Sequence, residues 1–144
     1  MSLSFKIAEN KTDFARCMHI RGAVFGGDQG ICVSEDIDDI EDTCRHVLGL
    51  DGDKPCAAMR WRVYKPGIVK IERYAVRKEW QGKGVGRAMM NFVLADIAAH
   101  EPGAKIILGA QNTAIPFYER LGFTTYGDEY MDANIPHHMM EKAA

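Results

Sequence analysis

Glycine and basic residues cluster at one place in mid-chain, where the sequence reads Gln-Gly-Lys-Gly-Val-Gly-Arg over residues 81–87. A β-type segment over 71–76 precedes this stretch and an apolar helical pattern follows it, so the glycines lie at a helix N-terminus. The first N–H groups of a helix have no intrahelical acceptor, and the helix dipole adds partial positive charge beside them. Glycine lets a ligand approach the backbone, and Lys83 and Arg87 add charge. The combination predicts a phosphate-binding loop.

The spacing of these glycines excludes two common phosphate loops. A Walker A loop needs Gly-Lys followed by Ser or Thr, whereas Gly84 is followed by Val85. The dinucleotide fingerprint G-x-G-x-x-G needs a third glycine three residues after the second. That position is Arg87 if the pattern starts at Gly82 and Met89 if it starts at Gly84. The loop therefore belongs to a different class of phosphate site.

Two segments carry a resemblance to a known superfamily. The loop over 81–86 resembles the acyl-CoA pyrophosphate loop of the GNAT superfamily of N-acetyltransferases, written (Arg/Gln)-x-x-Gly-x-(Gly/Ala). Residues 108–123, LGAQNTAIPFYERLGF, are similar to the second half of the GNAT core, which has a buried strand, an Asn and an aromatic-Tyr-Glu-Arg-Leu-Gly-Phe segment. The stretches VFGGDQG and IPHHMMEK are similar to its small ElaA-like branch.

The resemblance implies direct transfer of the acetyl group of acetyl-CoA to a primary amine of a small molecule or peptide. It implies that the loop amides hold the pyrophosphate, that Ala75 and Val76 pair with the pantetheine arm, and that the Val76 N–H binds the oxyanion. Asn112 would contact the coenzyme, cap a helix, or do both. The implied coenzyme-binding residues are Ala75, Val76, Gln81, Gly82, Lys83, Gly84, Val85, Gly86, Arg87 and Asn112.

The catalytic residues expected for this chemistry are an acid and a base. Tyr118 is the expected acid for the departing thiolate, since its phenol is a donor at neutral pH, and the alternative is a core tyrosine. Glu72 is the first choice of base, because it shares a strand face with Val76. The alternative for Glu72 is an ion pair with Arg60, Arg62 or Arg73. His137, His138 and a water molecule remain further choices for the base.

The acceptor amine is less well defined by the sequence. The resemblance places its cleft between the first helices, over 16–42, and the C-terminal strands. Acidic residues in this part of the chain would attract a cationic amine or form a solvated face; they are Glu35, Asp36, Asp38, Asp39, Glu41 and Asp42. Trp61, Tyr64 and Tyr74 line the cleft or fill the core. The alternative function is a CoA-binding sensor or scaffold without transferase activity.

Composition limits the remaining function classes. The chain has 144 residues and a net charge of -2, which disfavours nucleic-acid binding. We expect one domain over 1–144, in the cytoplasm and without a membrane segment. The four cysteines show no metal-ligand spacing, so we expect reduced thiols and no metal. Exposed sheet edges would allow a homodimer.

The resemblance implies a GNAT-type α/β fold of mixed α+β character, with a mixed, mostly antiparallel sheet of about six to seven strands and about four flanking helices. The strands are predicted over 3–8, 43–50, 55–64, 67–76, 105–110, 123–126 and 138–142. Thr12 or Asp13 would cap the first helix, and the glycines at 26 and 27 would stop it. A short helix lies within 34–42, a long one follows the loop, and a short one begins at Asn112.

Overall fold

The computed structural model describes residues 1–143, which form a sheet of seven strands in the order β1-β2-β3-β4-β5-β7-β6. The strands are Leu3–Ile7 (β1), Arg45–Asp51 (β2), Lys54–Lys65 (β3), Ile68–Val76 (β4), Lys105–Gln111 (β5), Thr124–Asp132 (β6) and Ile135–Ala143 (β7). All neighbouring pairs are antiparallel except β4 and β5, which are parallel because a helix crosses over between them. The predicted mixed sheet is confirmed.

Helices pack on both faces of this sheet. The α-helices are Lys11–Arg21 (α1), Val33–Asp36 (α2), Val85–His100 (α3) and Ile115–Glu119 (α4). Buried side chains of α3, such as Met89 and Val93, pack on one face against Trp61 and Ile71. On the opposite face, α1 buries Ile20 in a second cluster over the strands. No helix within residues 1–143 is long and apolar enough to cross a membrane.

The first helix begins earlier than predicted, at a cap formed by Asn10. The Asn10 side chain accepts a hydrogen bond of 2.8 Å from the Asp13 N–H, and the Asp13 carboxylate accepts one of 3.1 Å from the Glu9 N–H. This reciprocal arrangement satisfies two backbone donors at the helix start. The prediction of Thr12 or Asp13 as the cap was therefore wrong, because Asn10 is the cap and Asp13 is the third residue of the helix.

The glycine pair at 26 and 27 does not stop the helical path. The chain leaves α1 at Arg21 and continues as a π-helical segment, Gly22–Asp28, in which the Gln29 N–H donates to the Val24 carbonyl at 3.1 Å. Wider turns satisfy the backbone where the α-helical pattern ends, and such segments are frequent at functional sites. The segment directs Val24 and Phe25 toward the cleft described below.

Strands β4 and β5 separate at their C-terminal ends. Their pairing covers only Ile68–Ile71 and Lys105–Leu108, although β4 continues to Val76 and β5 to Gln111. At Arg73 the backbone has a φ of +57°, and the register between β3 and β4 shifts at the same place. This is a β-bulge, which bends its strand. A cleft therefore opens between β4 and β5 beyond the bulge.

Candidate functional site

The cleft between β4 and β5 has a volume of about 390 Å³ and is lined by several of the predicted site residues. Its walls include Glu72 and Val76 of β4, Gln111 of β5, Tyr118 of α4 and His137 of β7. Clefts at the carboxyl ends of parallel strands are common ligand sites. The fold therefore brings the predicted acid, the predicted base and one end of the predicted loop to a single opening.

The backbone of Val76 faces this cleft, whereas that of Ala75 does not. The Arg77 N–H donates to the Cys56 carbonyl of β3 at 2.9 Å. Because successive residues of a strand direct their N–H groups to opposite sides, Ala75 also faces β3 and Val76 faces the opening. The Gln81 side chain donates to the Val76 carbonyl at 2.9 Å. Of the two strand residues expected to pair with pantetheine, only Val76 has its polar backbone groups on the correct side.

The glycine loop presents exposed backbone at the start of α3. Gly82 and Gly84 have φ values of +75° and +82°, and a Cβ at either position would meet no atom within 4 Å. The Ala88 N–H donates to the Gly84 carbonyl at 3.1 Å, so the three N–H groups of residues 85–87 precede the first intrahelical bond. Lys83 and Arg87 are exposed beside them. This geometry provides backbone donors and positive charge in one place.

Gly86 has a different role from the other two glycines of the loop. A Cβ there would lie 2.8 Å from the Tyr74 hydroxyl oxygen and 3.4 Å from Phe117. The Tyr74 hydroxyl donates to the Gly86 carbonyl. Gly86 therefore lets the first turn of α3 pack closely on an aromatic cluster, in which the Tyr74 and Phe117 rings are 5.8 Å apart.

Tyr118 both packs in this aromatic cluster and lines the cleft. It is 7% exposed, and its ring lies edge-on to Phe117 at 5.1 Å and to Phe123 at 6.1 Å. Burial raises the pKa of Tyr118, so the hydroxyl keeps its proton and remains a donor. The core position that was the alternative for Tyr118 is thus compatible with a hydroxyl available to a bound ligand.

Glu72 is held by three cations. Its carboxylate accepts a hydrogen bond of 2.9 Å from Arg62 and lies 3.2 Å from Arg60 and 3.4 Å from Lys70. Burial alone would raise the pKa of Glu72, but the hydrogen bond from Arg62 and the neighbouring positive charges lower it overall. A carboxylate in this state is a weak proton acceptor. The geometry therefore favours the ion-pair alternative, with Arg60 and Arg62 as partners.

A buried network of ion pairs holds much of the acidic run against the sheet. Arg21, which is 1% exposed, donates to Asp36 at 3.0 Å and to Glu41 at 2.7 Å and 3.0 Å. Arg60, equally buried, donates to both oxygens of Asp38 at 2.9 Å and lies 2.7 Å from Glu41. The solvated-face interpretation was therefore wrong for the paired residues. The exposed members of the run are Glu35, Asp39 and Asp42.

The same run holds the bulge of β4 in place. The Arg73 guanidinium donates to the Asp36 carbonyl at 2.8 Å and to the Glu35 carbonyl at 3.2 Å, and it lies 3.3 Å from Asp38. A left-handed backbone costs a residue other than glycine about 1–3 kcal/mol. These contacts explain how Arg73 keeps that conformation, which no local sequence signal marks.

Asn112 connects the end of β5 to the last two strands. Its side chain donates to Glu129 at 2.6 Å, and its oxygen lies 2.8 Å from Nδ1 of His138. The N-cap of α4 is Ala114, which makes no side-chain cap bond. The prediction that Asn112 caps this helix was wrong because a 3-10 turn over Asn112–Ala114 separates the two.

His137 is the histidine that lines the cleft. It is 8% exposed, its Nδ1 lies 2.6 Å from the Ile135 carbonyl, and its ring stacks on Tyr130 with centroids 5.5 Å apart. These contacts orient the ring, so its position is determined on two sides. The sequence signal for this residue was only its place beside a second histidine.

Trp61 and Tyr64, two of the aromatic residues considered for the cleft, lie outside it. Trp61 is buried and donates to Asp96 at 2.8 Å, whereas Tyr64 is exposed beside Arg62. Of the three aromatic residues considered for the cleft, Tyr74 lines it. The four cysteines are free thiols. Within residues 1–143 no group of His, Cys, Asp or Glu could hold a metal ion.

Comparison with known proteins gives consistent matches. The family profile described as "Acetyltransferase (GNAT) domain" matches residues 32–144. The uncharacterized N-acetyltransferase YjcF of Bacillus subtilis is 37% identical over 137 residues, which cover 94% of this chain and 96% of YjcF. The crystal structure of Escherichia coli ElaA has a TM-score of 0.88 at 27% identity and covers 97% of this chain and 99% of its own. A Bacillus subtilis acetyltransferase in complex with CoA has a TM-score of 0.74 at 15% identity, covers 99% of each chain and shares the fold.

Proposed function

Because the chain belongs to the GNAT family of acyl-CoA-dependent acyltransferases, we propose that it transfers the acetyl group of acetyl-CoA to a primary amine of a small molecule or peptide. The observation that carries this proposal is the cleft itself. A helix N-terminus with exposed amides lies beside it, and the Val76 N–H and the Tyr118 side chain face it. The helix N-terminus would bind the phosphates of the acetyl donor. The Val76 N–H would donate a hydrogen bond to the oxyanion, and Tyr118 would act as the acid.

The coenzyme would bind across the opening between β4 and β5. The N–H groups of residues 82–87 would hold the pyrophosphate, with Lys83 and Arg87 adding charge. The pantetheine arm would run along the unpaired edge of β4 and bond to the Val76 backbone as an added strand does. The Gln81 amide, which now bonds to the Val76 carbonyl, would release it. Asn112 directly follows β5, next to the cleft residue Gln111, and is not itself among the residues that line the cleft.

The reaction would proceed by direct attack. The neutral amine attacks the thioester carbon, so that a C–N bond forms and negative charge develops on the oxygen beside the Val76 N–H. The C–S bond then breaks, and Tyr118 donates its proton to the sulfur while it regains one from the attacking nitrogen. Burial raises the pKa of Tyr118, so the phenol is in its protonated form at neutral pH when the thiolate leaves.

The mouth of the cleft supports a cationic acceptor. Glu35 and Asp132 are exposed there, and neither takes part in an ion pair within the described residues 1–143. The more buried carboxylates of Asp36 and Glu72 are neutralised by arginine. The two free carboxylates would therefore attract an ammonium group to the opening.

The test is an acetyl-CoA assay over polyamines, aminoglycosides, amino acids and basic peptides, with thiol release and mass spectrometry of the product. At least one amine should yield CoA and acetylated product in equal amounts. Tyr118→Phe should lower kcat by about 100-fold, the effect of losing a general acid, and leave the CoA-induced shift in Tm unchanged. Tyr126→Phe, on the exposed strand β6, is the matched control. Binding of CoA without any acetylated product would instead favour the sensor function.

A further inference from the structure

We propose that His137 is the base that removes the proton from the ammonium group of the acceptor. The proposal rests on the acetyl transfer proposed above and assigns the one role in it that the donor site leaves open. An alkylamine is protonated at neutral pH and cannot attack a thioester in that form. The site therefore needs a proton acceptor on the side from which the amine enters.

The contacts of His137 determine which ring nitrogen is free to accept a proton. Its Nδ1 lies 2.6 Å from the Ile135 carbonyl, which can only accept a hydrogen bond. The hydrogen of the neutral ring is therefore on Nδ1, and the lone pair is on Nε2. Because the other nitrogen is engaged and the side chain lines the cleft, Nε2 is the atom available to a bound amine.

His137 and Tyr118 approach the opening from opposite faces of the sheet. In β5, Leu108 and Ala110 belong to the core beneath α3, together with Tyr118. Gln111, the next residue along, must point to the other face, and His137 is its partner in β7. The acid would thus act from the donor side and the base from the acceptor side, with the thioester between them.

Neither alternative base has this combination of position and freedom. The bulge at Arg73 puts Glu72 on the acceptor side, so the expectation that it shares a strand face with Val76 was wrong. Glu72 is also bound by three cations. His138 pairs with Ala110 and so lies on the donor face, where its Nδ1 is 2.8 Å from Asn112. His137 is also oriented by its stack on Tyr130, whose hydroxyl does not compete for the Nε2 lone pair because it donates its hydrogen to Met139.

The proton balance of the reaction is complete with these residues. One ammonium proton passes to Nε2 of His137, and the resulting amine attacks the thioester carbon. The second proton leaves nitrogen through Tyr118 and ends on the sulfur as the C–S bond breaks. His137 then releases its proton to water. The sum is acetyl-CoA and an ammonium ion giving an amide, CoA thiol and one proton.

The decisive variant is His137→Asn. An asparagine amide can donate to the Ile135 carbonyl from the position of Nδ1, yet it has no atom at the position of Nε2. We expect kcat/KM for the amine to fall about 100-fold at neutral pH. The limb of the pH profile that reports loss of a proton from imidazole should disappear, and added imidazole should restore part of the rate. The shift in Tm caused by CoA should not change. His19→Asn, at an exposed position on α1, is the matched control.

The charged groups that share the cleft with His137 must be considered in interpreting that profile. The charged ones are Glu35 and Asp36 from the α2 region, Lys70, Glu72 and Arg73 from β4, and Asp132 from β6, and the cleft also holds the titratable phenols of Tyr74, Tyr118 and Tyr130. Because asparagine leaves all of them in place, a limb that belongs to one of them will persist in the variant. Persistence of the whole wild-type profile would overturn the assignment.

A measurement on the wild-type protein is independent of how well the variant folds. Nitrogen-15 NMR of the histidine rings should show His137 with its proton on Nδ1 and none on Nε2 in the neutral form. The opposite tautomer would overturn the proposal, as would a rate loss in His137→Asn that imidazole does not restore. If the wild-type protein binds CoA but acetylates no amine, the proposed function itself fails. That result is distinct from the outcomes that overturn only the assignment of His137 as the base.

Discussion

Replacing Gly84 by alanine separates the backbone strain of the loop from its contact with the coenzyme. Gly84 has a φ of +82°, where a Cβ costs about 1–2 kcal/mol in an L-residue. Alanine also lowers the conformational entropy of the unfolded chain, which offsets about 0.4–1 kcal/mol of that cost. Gly103, just beyond the other end of α3, has a φ of +78°, and a Cβ at either site meets no atom within 4 Å. Each Gly→Ala change should thus lower the free energy of unfolding by about 1 kcal/mol.

Only the change at Gly84 should alter coenzyme binding. Its new methyl group lies in the space that the pyrophosphate would enter, whereas Gly103 is a helix length away. Isothermal titration should show at least a tenfold weaker Kd for CoA in Gly84→Ala, a loss of about 1.4 kcal/mol, and no change in Gly103→Ala. Urea denaturation of both variants supplies the matched stabilities. Wild-type CoA affinity in Gly84→Ala, or an equal loss in both variants, would refute the assignment of this loop.

Two further predictions concern the buried ion network. Arg21→Met leaves the carboxylates of Asp36 and Glu41 without their shared guanidinium, so urea denaturation should show a free energy of unfolding that is lower by about 3–5 kcal/mol. A decrease below about 1 kcal/mol, which is typical of an exposed ion pair, would contradict this. Acid should also destabilise the protein through Glu41. Burial opposes the ionisation of Glu41, but hydrogen bonds from Arg21 and Arg60 lower its pKa from 4.5 to about 2. Because the folded pKa is the lower one, the stabilisation of about 3 kcal/mol is complete above pH 4.5 and is lost as the pH falls toward 2. Unfolding free energies that stay constant over this range would rule the effect out.

Features encoded in short stretches of sequence could be predicted. The glycine loop, the apolar helix after it and the parallel strand that follows form one continuous segment, whose periodicity and turn residues are visible without any distant contact. Strands β1 to β5 were located within two residues at each end because each is a run bounded by turn residues, whereas the predicted strand over 123–126 covers less than half of β6. The position of Tyr118 after a buried strand followed from the same local order.

Features that depend on distant pairs could not be predicted. Arg21 and Glu41 are far apart in sequence, so nothing local indicates that part of the acidic run is buried rather than solvated. The bulge at Arg73 depends on carbonyl groups of α2. The choice between Glu72 and His137 depends on which residues from other strands surround each one. Such pairings belong to the tertiary structure, and the site chemistry is decided there.

The most direct test of the account is a crystal structure of the protein with CoA. We expect the pyrophosphate to accept hydrogen bonds from the N–H groups of residues 82–87. We also expect the pantetheine arm to lie between β4 and β5 against the Val76 backbone, with the sulfur beside the Tyr118 hydroxyl. Coenzyme bound elsewhere, or a cleft filled by side chains while CoA is bound, would contradict it.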